Sequence, residues 1–376
     1  MALALEATVK VPLERTFMKK HIVIAGALGT VGRAALEHFD KLDDWEVTAL
    51  SRRPPDFANR ATWISVDLQD PIDCHSKLIG LKGITHLAYA AVYEMPEVAR
   101  GWLTQEHADV NLSMLQNLIR PLFEASPDIR HVSILQGTKA YGGHLGPFKQ
   151  PAKENDPRYM PPNFYYLQMD WLAEERIKTG AKWCWTVLRP QIVCGLAIGS
   201  PMNVVAGLGV FAAISREYGM PLRFPGGDAR IGEATDARII AKAIEWAATD
   251  HRAADQVFNI TNGDVYQWEV IWPRIAKLFD MEVGVRHPIS LARTMPANAH
   301  LWPKIAKKHG LAQYNYEQMV PSWGFIDFVL GHGQRPNPHH MSTIKARKAG
   351  FQECIDTEEM FVELIQEMQA RKYLPY

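Results

Sequence analysis

Short runs of β-branched and apolar residues recur along the first half of the chain, separated by segments with helical periodicity. Helical spacing is found in the residues that follow Gly32 and in the stretch 110–123. Strands alternating with helices predict an α/β protein with a Rossmann-type, doubly wound parallel sheet. The predicted strands are residues 21–25, 45–50, 62–66, 85–90, 131–135 and 183–188.

Apolar positions in the second half follow helical rather than strand spacing. The run 204–214 is well short of the ~20 residues that a membrane-spanning helix needs, so we predict a buried helix. TEEMFVELIQEMQARKYLP near the end predicts an amphipathic helix packed on the rest of the molecule. Charged residues interrupt the first twenty positions, so we expect a flexible extension over residues 1–17 rather than a signal peptide.

A glycine-rich turn joins the first predicted strand to the first predicted helix. The sequence Gly26-Ala-Leu-Gly29-Thr-Val-Gly32 has the spacing and the strand–turn–helix setting of a dinucleotide-binding loop. An ordinary turn is the alternative interpretation, since glycines serve turns in general. We predict that this loop binds a dinucleotide cofactor, with its pyrophosphate at the helix N-terminus. The predicted contacts from the loop are Gly26, Leu28, Gly29, Thr30, Val31 and Gly32.

Basic residues stand where many NAD enzymes carry an acidic one. The second predicted strand leads into Ser51-Arg52-Arg53, and a carboxylate at this position would bind the ribose 2′-hydroxyl of NAD. Two guanidinium groups and a hydroxyl suit a 2′-phosphate instead, so we predict NADPH. A solvated basic turn is the alternative. Asp67 and Leu68, after the third strand, are placed to meet the adenine.

The expected catalytic motif of a short-chain dehydrogenase is incomplete. Such enzymes pair a tyrosine with a lysine four residues later, but Tyr165 is followed there by Met169, and none of the twelve tyrosines has a lysine at that spacing. Either the protein binds a cofactor without catalysis, or its lysine comes from elsewhere. Lys139 is the candidate, because it follows the strand 131–135 at the carboxyl edge of the sheet, where such folds place their sites.

Four stretches together resemble the family of progesterone 5-beta-reductases and iridoid synthases, which are atypical extended short-chain dehydrogenases. The stretches are LQGTKAYGGHLGPF, NFYYLQMDWLAEE, LRP followed by IVCG, and FNITNGDVYQWEVIW. The similarity extends over residues 21–375. The chain differs from the family in reading Gln-Gly-Thr-Lys where Gln-Thr-Gly-x-Lys is usual, in a longer GGHL linker, and in a shorter segment before Asp236. These differences concern the shape of the pocket.

The resemblance implies roles for particular residues. The first tyrosine of Asn-Phe-Tyr-Tyr is catalytic in the family, which corresponds to Tyr165, and the family's lysine corresponds to Lys139. Gly-Pro-Phe lines the family's substrate pocket, which implies a substrate contact at Phe148. Further cofactor contacts are predicted at Ala91, Val92, Gln136, Lys139, Tyr165, Val193, Ser200 and Met202. Further substrate contacts are predicted at Tyr93, Met202, Trp302 and Trp323, with core packing as the alternative for the tryptophans.

The implied reaction is reduction of the carbon–carbon double bond of an enone by NADPH. Tyr165 would stabilise the enolate, and we expect the Lys139 charge to lower the pKa of that tyrosine. An NAD-dependent nucleotide-sugar epimerase or dehydratase of the extended short-chain type is one alternative. A non-catalytic NADP(H)-sensing protein is the other.

The composition restricts partners and location. Lys plus Arg equals Asp plus Glu at 41 each, so neither nucleic acid nor a membrane is expected as a partner. The four cysteines are scattered, which favours a reducing cytoplasm. His332, His339 and His340 lack the companions of a metal site, so we expect no metal. A small-molecule enone is the expected partner, and the chain could also form a homodimer.

The predicted organisation places the cofactor and the substrate in different parts of the chain. We expect an NADP-binding Rossmann domain over residues 18–200, completed by about 229–262. The smaller, mostly helical substrate-binding cap is expected from residues 201–228 and 263–376.

Overall fold

The structure is a computed structural model that describes residues 19–95, 98–180, 182–228, 231–312, 315–333 and 339–376. The predicted extension over residues 1–17 lies outside the described residues.

A seven-stranded sheet, all of whose strands are parallel, takes six strands from residues 20–190 and a seventh from residues 256–260. Its order is β3-β2-β1-β4-β5-β6-β10, so the chain winds outward from β1 in both directions. The strands are β1 Lys20–Ala25, β2 Trp45–Ser51, β3 Thr62–Ser65, β4 His86–Tyr89, β5 His131–Leu135, β6 Cys184–Pro190 and β10 Gln256–Ile260. Two pairs of two-residue strands lie outside the sheet: β7 Val193–Cys194 with β9 Thr235–Asp236, and β8 Ile231–Gly232 with β11 Tyr266–Gln267.

Helices follow most of the strands and continue through the C-terminal part. They are α1 Thr30–Phe39, α2 Pro71–Leu78, α3 Val98–Gly101, α4 Gln105–Ala125, α5 Phe164–Thr179, α6 Val204–Glu217, α7 Ala237–Thr249, α8 Trp268–Leu278, α9 Leu291–Thr294, α10 Trp302–His309, α11 Tyr316–Met319, α12 Trp323–Leu330, α13 Ile344–Lys348 and α14 Thr357–Ala370. Short 3-10 helices occupy Thr138–Tyr141, His251–Ala253 and Pro296–Leu301. None of the described helices is long and apolar enough to cross a membrane.

Separate hydrophobic clusters hold the layers together. On one face of the sheet, α1 and α7 bury apolar side chains that include Phe39 and Ile244. On the other face, α2 and α4 bury side chains that include Leu78 and Leu118. A third cluster belongs to the C-terminal part and joins α6, α8, α12 and α14. Burial of this apolar surface is the main stabilising contribution to each layer.

The predicted fold class is confirmed, with small shifts at the ends of elements. The strand predicted at 85–90 is His86–Tyr89, and the helix predicted over 110–123 extends from Gln105 to Ala125. The apolar run 204–214 forms a helix in which every residue from Val204 to Ser215 is buried, as predicted. The seventh strand, β10, falls within the part that was expected to complete the Rossmann unit.

Candidate active site

The glycine loop between β1 and α1 is packed too closely to accept side chains. Gly26 has a φ of +77°, and a Cβ on it would lie 2.8 Å from the backbone of Ala91. A Cβ on Gly32 would lie 2.0 Å from the carbonyl oxygen of Gly26. Gly29 precedes α1, and no side chain caps that helix. The loop therefore leaves an uncapped helix N-terminus beside bare backbone, which is the arrangement that fits a dinucleotide pyrophosphate.

The segment after β6 crosses this loop and brings further predicted cofactor residues to it. The hydroxyl of Thr30 donates to Ser200 Oγ at 3.2 Å, and Val193 pairs with Thr235 in the short parallel strands. The guanidinium of Arg53 donates to the carbonyl oxygen of Ile198. Met202 is half-buried and packs against the C-terminal hydrophobic cluster. The segment after β6 thus contacts both the start of α1 and the turn after β2.

Both arginines of the Ser51–Arg53 turn are exposed, and Arg53 is the one bonded to Ile198. Ser51 Oγ donates to the carbonyl oxygen of Arg53 at 2.7 Å and accepts from the indole of Trp63 at 3.1 Å, which fixes the turn. Arg52 is exposed, and its guanidinium has no hydrogen bond or ion pair with the described residues. After the next strand, Leu68 is 7% exposed and Asp67 is half-buried. These five predicted residues lie at the carboxyl ends of β2 and β3.

Lys139 and Tyr165 come from separate elements that one side chain ties together. Lys139 lies in the 3-10 helix after β5, and Tyr165 lies in the first turn of α5. Asn163 caps α5 by accepting from the amide of Tyr165 at 3.0 Å, and it donates to the carbonyl oxygen of Lys139 at 2.8 Å. The ammonium nitrogen lies 5.2 Å from the centre of the Tyr165 ring. The two predicted catalytic residues are therefore neighbours.

The hydroxyl of Tyr165 faces the strand end that precedes Lys139. A Cβ on Gly137 would lie 3.3 Å from the Tyr165 hydroxyl oxygen, which is a tight contact, so the glycine leaves more room around that oxygen. Gln136 is 4% exposed, and its side chain donates to the carbonyl oxygen of Tyr165 at 2.9 Å. The buried Arg189 donates to Gln136 Oε1 at 2.9 Å and thereby fixes the orientation of that amide.

The expectation that Lys139 lowers the pKa of Tyr165 is wrong, because that pKa is raised. Burial raises the pKa of the Tyr165 hydroxyl, Glu94 raises it further, and Arg189 opposes them; Lys139 is not among the groups that shift it. The Lys139 ammonium itself lies 3.8 Å from a Glu94 carboxylate oxygen. With its pKa raised, Tyr165 stays protonated at neutral pH and acts as a hydrogen-bond donor.

A largely apolar cavity of about 500 Å³ opens beside Lys139. The indole of Trp102 contributes to its wall and lies 4.4 Å from the Lys139 ammonium, so the cavity and the predicted catalytic pair share one side chain. Trp323, which was predicted to contact the substrate, lines the same cavity. The other lining residues are Val98, Arg100, Ala292, Pro296, Pro321, Ser322, Gly324, Phe325 and Phe328. Its size is typical of pockets for small organic ligands.

Four predicted substrate residues are not among those that line this cavity: Met202, described above, and Trp302, Phe148 and Tyr93. Trp302 is 2% exposed and packs inside the C-terminal hydrophobic cluster, which matches the core alternative. Phe148 stacks on His339 with ring centres 5.1 Å apart. The backbone amide and carbonyl of Tyr93 are both bonded to the Asn111 side chain, at 2.9 and 3.0 Å.

Glu94 and Trp102 were not predicted. Glu94 follows β4 directly after the predicted contacts Ala91, Val92 and Tyr93, so a carboxylate near the carboxyl end of a central strand was the available signal. Trp102 gave no such signal, because its place beside Lys139 depends on the path of the loop between β4 and α4.

Comparison with known proteins identifies the family of the chain. Residues 73–375 match the model of the PRISE-like Rossmann-fold domain. The chain belongs to this family. It is 32% identical to an (S)-8-oxocitronellyl enol synthase of Nepeta racemosa, over 94% of this chain and 92% of that protein. It is 31% identical to a 3-oxo-Delta(4,5)-steroid 5-beta-reductase of Arabidopsis thaliana, with the same coverage of 94% and 92%.

A solved structure extends the comparison to the fold alone. The UDP-glucose 4-epimerase of Thermotoga maritima superimposes with a TM-score of 0.64 at 13% identity, over 93% of this chain and 99% of that one. The family model and the two relatives confirm the resemblance drawn from the sequence. They also confirm, at the level of the family, the prediction of an oxidoreductase of the short-chain dehydrogenase type.

Proposed function

We propose that the protein is an NADPH-dependent reductase of the activated carbon–carbon double bond of enones. The observation that carries the proposal is the pairing of Tyr165 with Lys139, whose ammonium lies 5.2 Å from the tyrosine ring although the two residues come from different elements. The adjoining cavity of about 500 Å³ supplies an apolar place for the substrate. The two relatives named above, one a steroid 5-beta-reductase, support the same reaction class.

The cofactor is proposed from the residues that surround the glycine loop. Gly26, Gly29 and the first turn of α1 would hold the pyrophosphate. Ser51, Arg52 and Arg53 would hold a 2′-phosphate, since a basic turn replaces the acidic residue that suits NAD. NADPH supplies the hydride that adds to the β-carbon of the enone.

Tyr165 provides the protein's main contribution to this chemistry. As the β-carbon gains a hydride, the electrons of the double bond move toward the carbonyl oxygen. The Tyr165 hydroxyl, which burial keeps protonated, donates a hydrogen bond to that oxygen and stabilises the enolate. A proton from solvent then completes the α-carbon and gives the saturated ketone. Lys139 adds a positive charge beside the same oxygen.

A pair of adjacent tyrosines offers a sharp test. Tyr165→Phe removes the proposed donor, so kcat with 2-cyclohexenone should fall by a factor of roughly 100 to 1000. Tyr166→Phe is the matched control, because the Tyr166 hydroxyl donates to the carbonyl of Ala140 at 2.9 Å and is occupied in the fold. We expect it to lower the melting temperature while retaining most of kcat.

Product analysis identifies the reaction. Mass spectrometry and chromatography over enones of increasing size should show saturated ketones formed at the expense of NADPH. An allylic alcohol as product would mean carbonyl reduction and contradict the proposal. Tightly bound NAD in the purified protein, with no enone turned over, would favour the epimerase alternative.

A further inference from the structure

A buried carboxylate lies behind the catalytic pair and has no role in the reaction as described so far. The side chain of Glu94 is 3% exposed. Its Oε2 accepts from the indole N–H of Trp102 at 2.8 Å and lies 3.2 Å from His107 Nε2. Its Oε1 has no hydrogen bond with the described residues and lies 3.8 Å from the Lys139 ammonium. One oxygen is thus anchored, while the other faces the lysine.

The surroundings of Lys139 leave Glu94 to balance its charge. The ammonium lies over three aromatic rings, those of Trp102, Phe164 and Tyr165, at 4.4, 5.1 and 5.2 Å from their centres. Of the carboxylates in the described part of the chain, Glu94 is the one within 4.0 Å of that nitrogen. A desolvated ammonium is costly unless an opposite charge accompanies it.

Other ionisable groups near the site do not replace this carboxylate. His107 reaches the far oxygen of Glu94 from α4. His144 approaches from the loop after the 3-10 helix, and burial together with the Lys139 charge lowers its pKa to about 4, so its imidazole is neutral. Arg189 acts from β6 on Tyr165 and carries the same sign as the lysine. Burial lowers the pKa of Lys139, and Glu94 opposes that shift.

We propose that Glu94 is a positioning residue of the reductase site, whose carboxylate holds the Lys139 ammonium and the Trp102 indole beside Tyr165. The inference rests on the proposed function for the reaction that it serves. Glu94 keeps the lysine charged inside an aromatic enclosure, and the same carboxylate fixes one wall of the substrate cavity. The charge of the site and the shape of its pocket are thereby coupled through a single side chain.

Substitution by glutamine separates these two effects. Glu94→Gln keeps an oxygen that accepts from Trp102 and removes the negative charge that faces Lys139. Trp102→Phe does the reverse, because it keeps a ring and the carboxylate but loses the indole donor. Glu94→Asp retains the charge on a side chain one methylene shorter, and it serves as the conservative rescue.

The protonation of Lys139 can be measured without cofactor or enone. Brief pulses of acetic anhydride between about pH 6 and 10 acetylate the neutral amine, and mass spectrometry gives the modified fraction of Lys139 at each pH. The exposed Lys178 in α5 of the same molecule is the internal reference. We expect the midpoint for Lys139 in Glu94→Gln to fall by about 1 to 3 pH units. Glu94→Asp and Trp102→Phe should remain closer to the wild type.

Turnover distinguishes positioning from a purely structural role. In Glu94→Gln the alkaline limit of kcat should move to lower pH by the same amount as the acetylation midpoint, while KM for the enone changes little. In Trp102→Phe we expect the larger change in KM. Equal midpoints in wild type and Glu94→Gln would overturn the inference, whichever enones are reduced. A shifted midpoint without any enone turnover would instead overturn the proposed function and leave the pairing of Glu94 with Lys139 intact.

Discussion

The side-chain amide of Asn163 donates to the carbonyl oxygen of Lys139 at 2.8 Å, while its oxygen accepts from the backbone amide of Tyr165 at 3.0 Å. One asparagine therefore joins the elements that carry Lys139 and Tyr165, the proposed catalytic residues. A lysine on the tyrosine's own helix would have its distance fixed by helical geometry.

Replacing this asparagine should reduce both stability and activity. Asn163→Ala removes a helix cap, which costs about 1 to 2 kcal/mol, and it releases the turn that carries Lys139. We expect kcat to fall about 10- to 100-fold, since small displacements of reacting groups are costly. Asp356→Ala is the control, because Asp356 caps α14 and contacts neither catalytic residue. Equal losses of kcat in both variants would mean that stability alone explains the effect.

Cofactor preference should depend on the exposed arginine after β2. Arg52→Ser removes a charge-assisted contact to a 2′-phosphate, so the dissociation constant for NADPH should rise about tenfold or more, with little change for NADH. Fluorescence titration of both cofactors measures the difference. Lys82→Ala controls for the overall charge, because Lys82 is exposed and precedes β4, at the amino ends of the strands. An unchanged ratio of the two constants would argue against NADPH recognition by this turn.

The cavity beside Lys139 should limit the size of the substrate. Ala292→Phe places a ring in the cavity wall, so KM for bulky enones should rise about tenfold while 2-cyclohexenone is little affected. Ala297→Phe adds the same ring at an exposed position in the neighbouring 3-10 helix and is the matched control. Steady-state kinetics over the enone series would show whether this cavity is the substrate site.

Two buried histidines should make the fold sensitive to acid. His86 and His131 are paired across β4 and β5, and burial lowers the pKa of His86 to about 4 and that of His131 to about 3. In the unfolded chain each of these histidines has a pKa of about 6.5. Between that pH and the lowered pKa values, the unfolded state therefore binds more protons than the folded state. The free energy of unfolding should therefore fall as the pH drops below about 6.5, by ~1.4 kcal/mol per pH unit for each histidine.

Urea denaturation at several pH values between about 7.5 and 4 would measure this dependence. His131→Asn should flatten the slope by the contribution of one proton, whatever its effect on stability at neutral pH. His251→Asn, at an exposed position, should leave the slope unchanged. An identical slope in the wild type and His131→Asn would contradict the assignment.

The sheet was predictable because its signals are local. A β-branched run, a glycine turn and a helical period each occupy a few consecutive residues, and β1, the glycine loop and α1 follow in that order. The identities of Tyr165 and Lys139 needed more than spacing, since the usual motif is absent. They followed from the resemblance to a family and from the rule that sites lie at the carboxyl ends of parallel strands.

The remaining features depend on contacts between distant parts of the chain. Trp302 and Trp323 both occur in apolar surroundings, yet one lies in the core and the other lines the cavity. The pKa of Tyr165 depends on its burial and on the position of Glu94, which no spacing along the chain reveals. The in-register histidines likewise become a pair only when β4 and β5 lie side by side.

The separate origins of Tyr165 and Lys139 have a consequence for how this enzyme can change. When both residues share one helix, their spacing is fixed by the helical repeat, and any adjustment disturbs both. Here the lysine lies in a 3-10 turn and the tyrosine in α5, joined through Asn163 and a long connecting loop. Insertions in that loop can reshape the mouth of the site without displacing the cofactor loop. Evolution and protein engineering can therefore adjust the catalytic distance and the substrate range as independent variables.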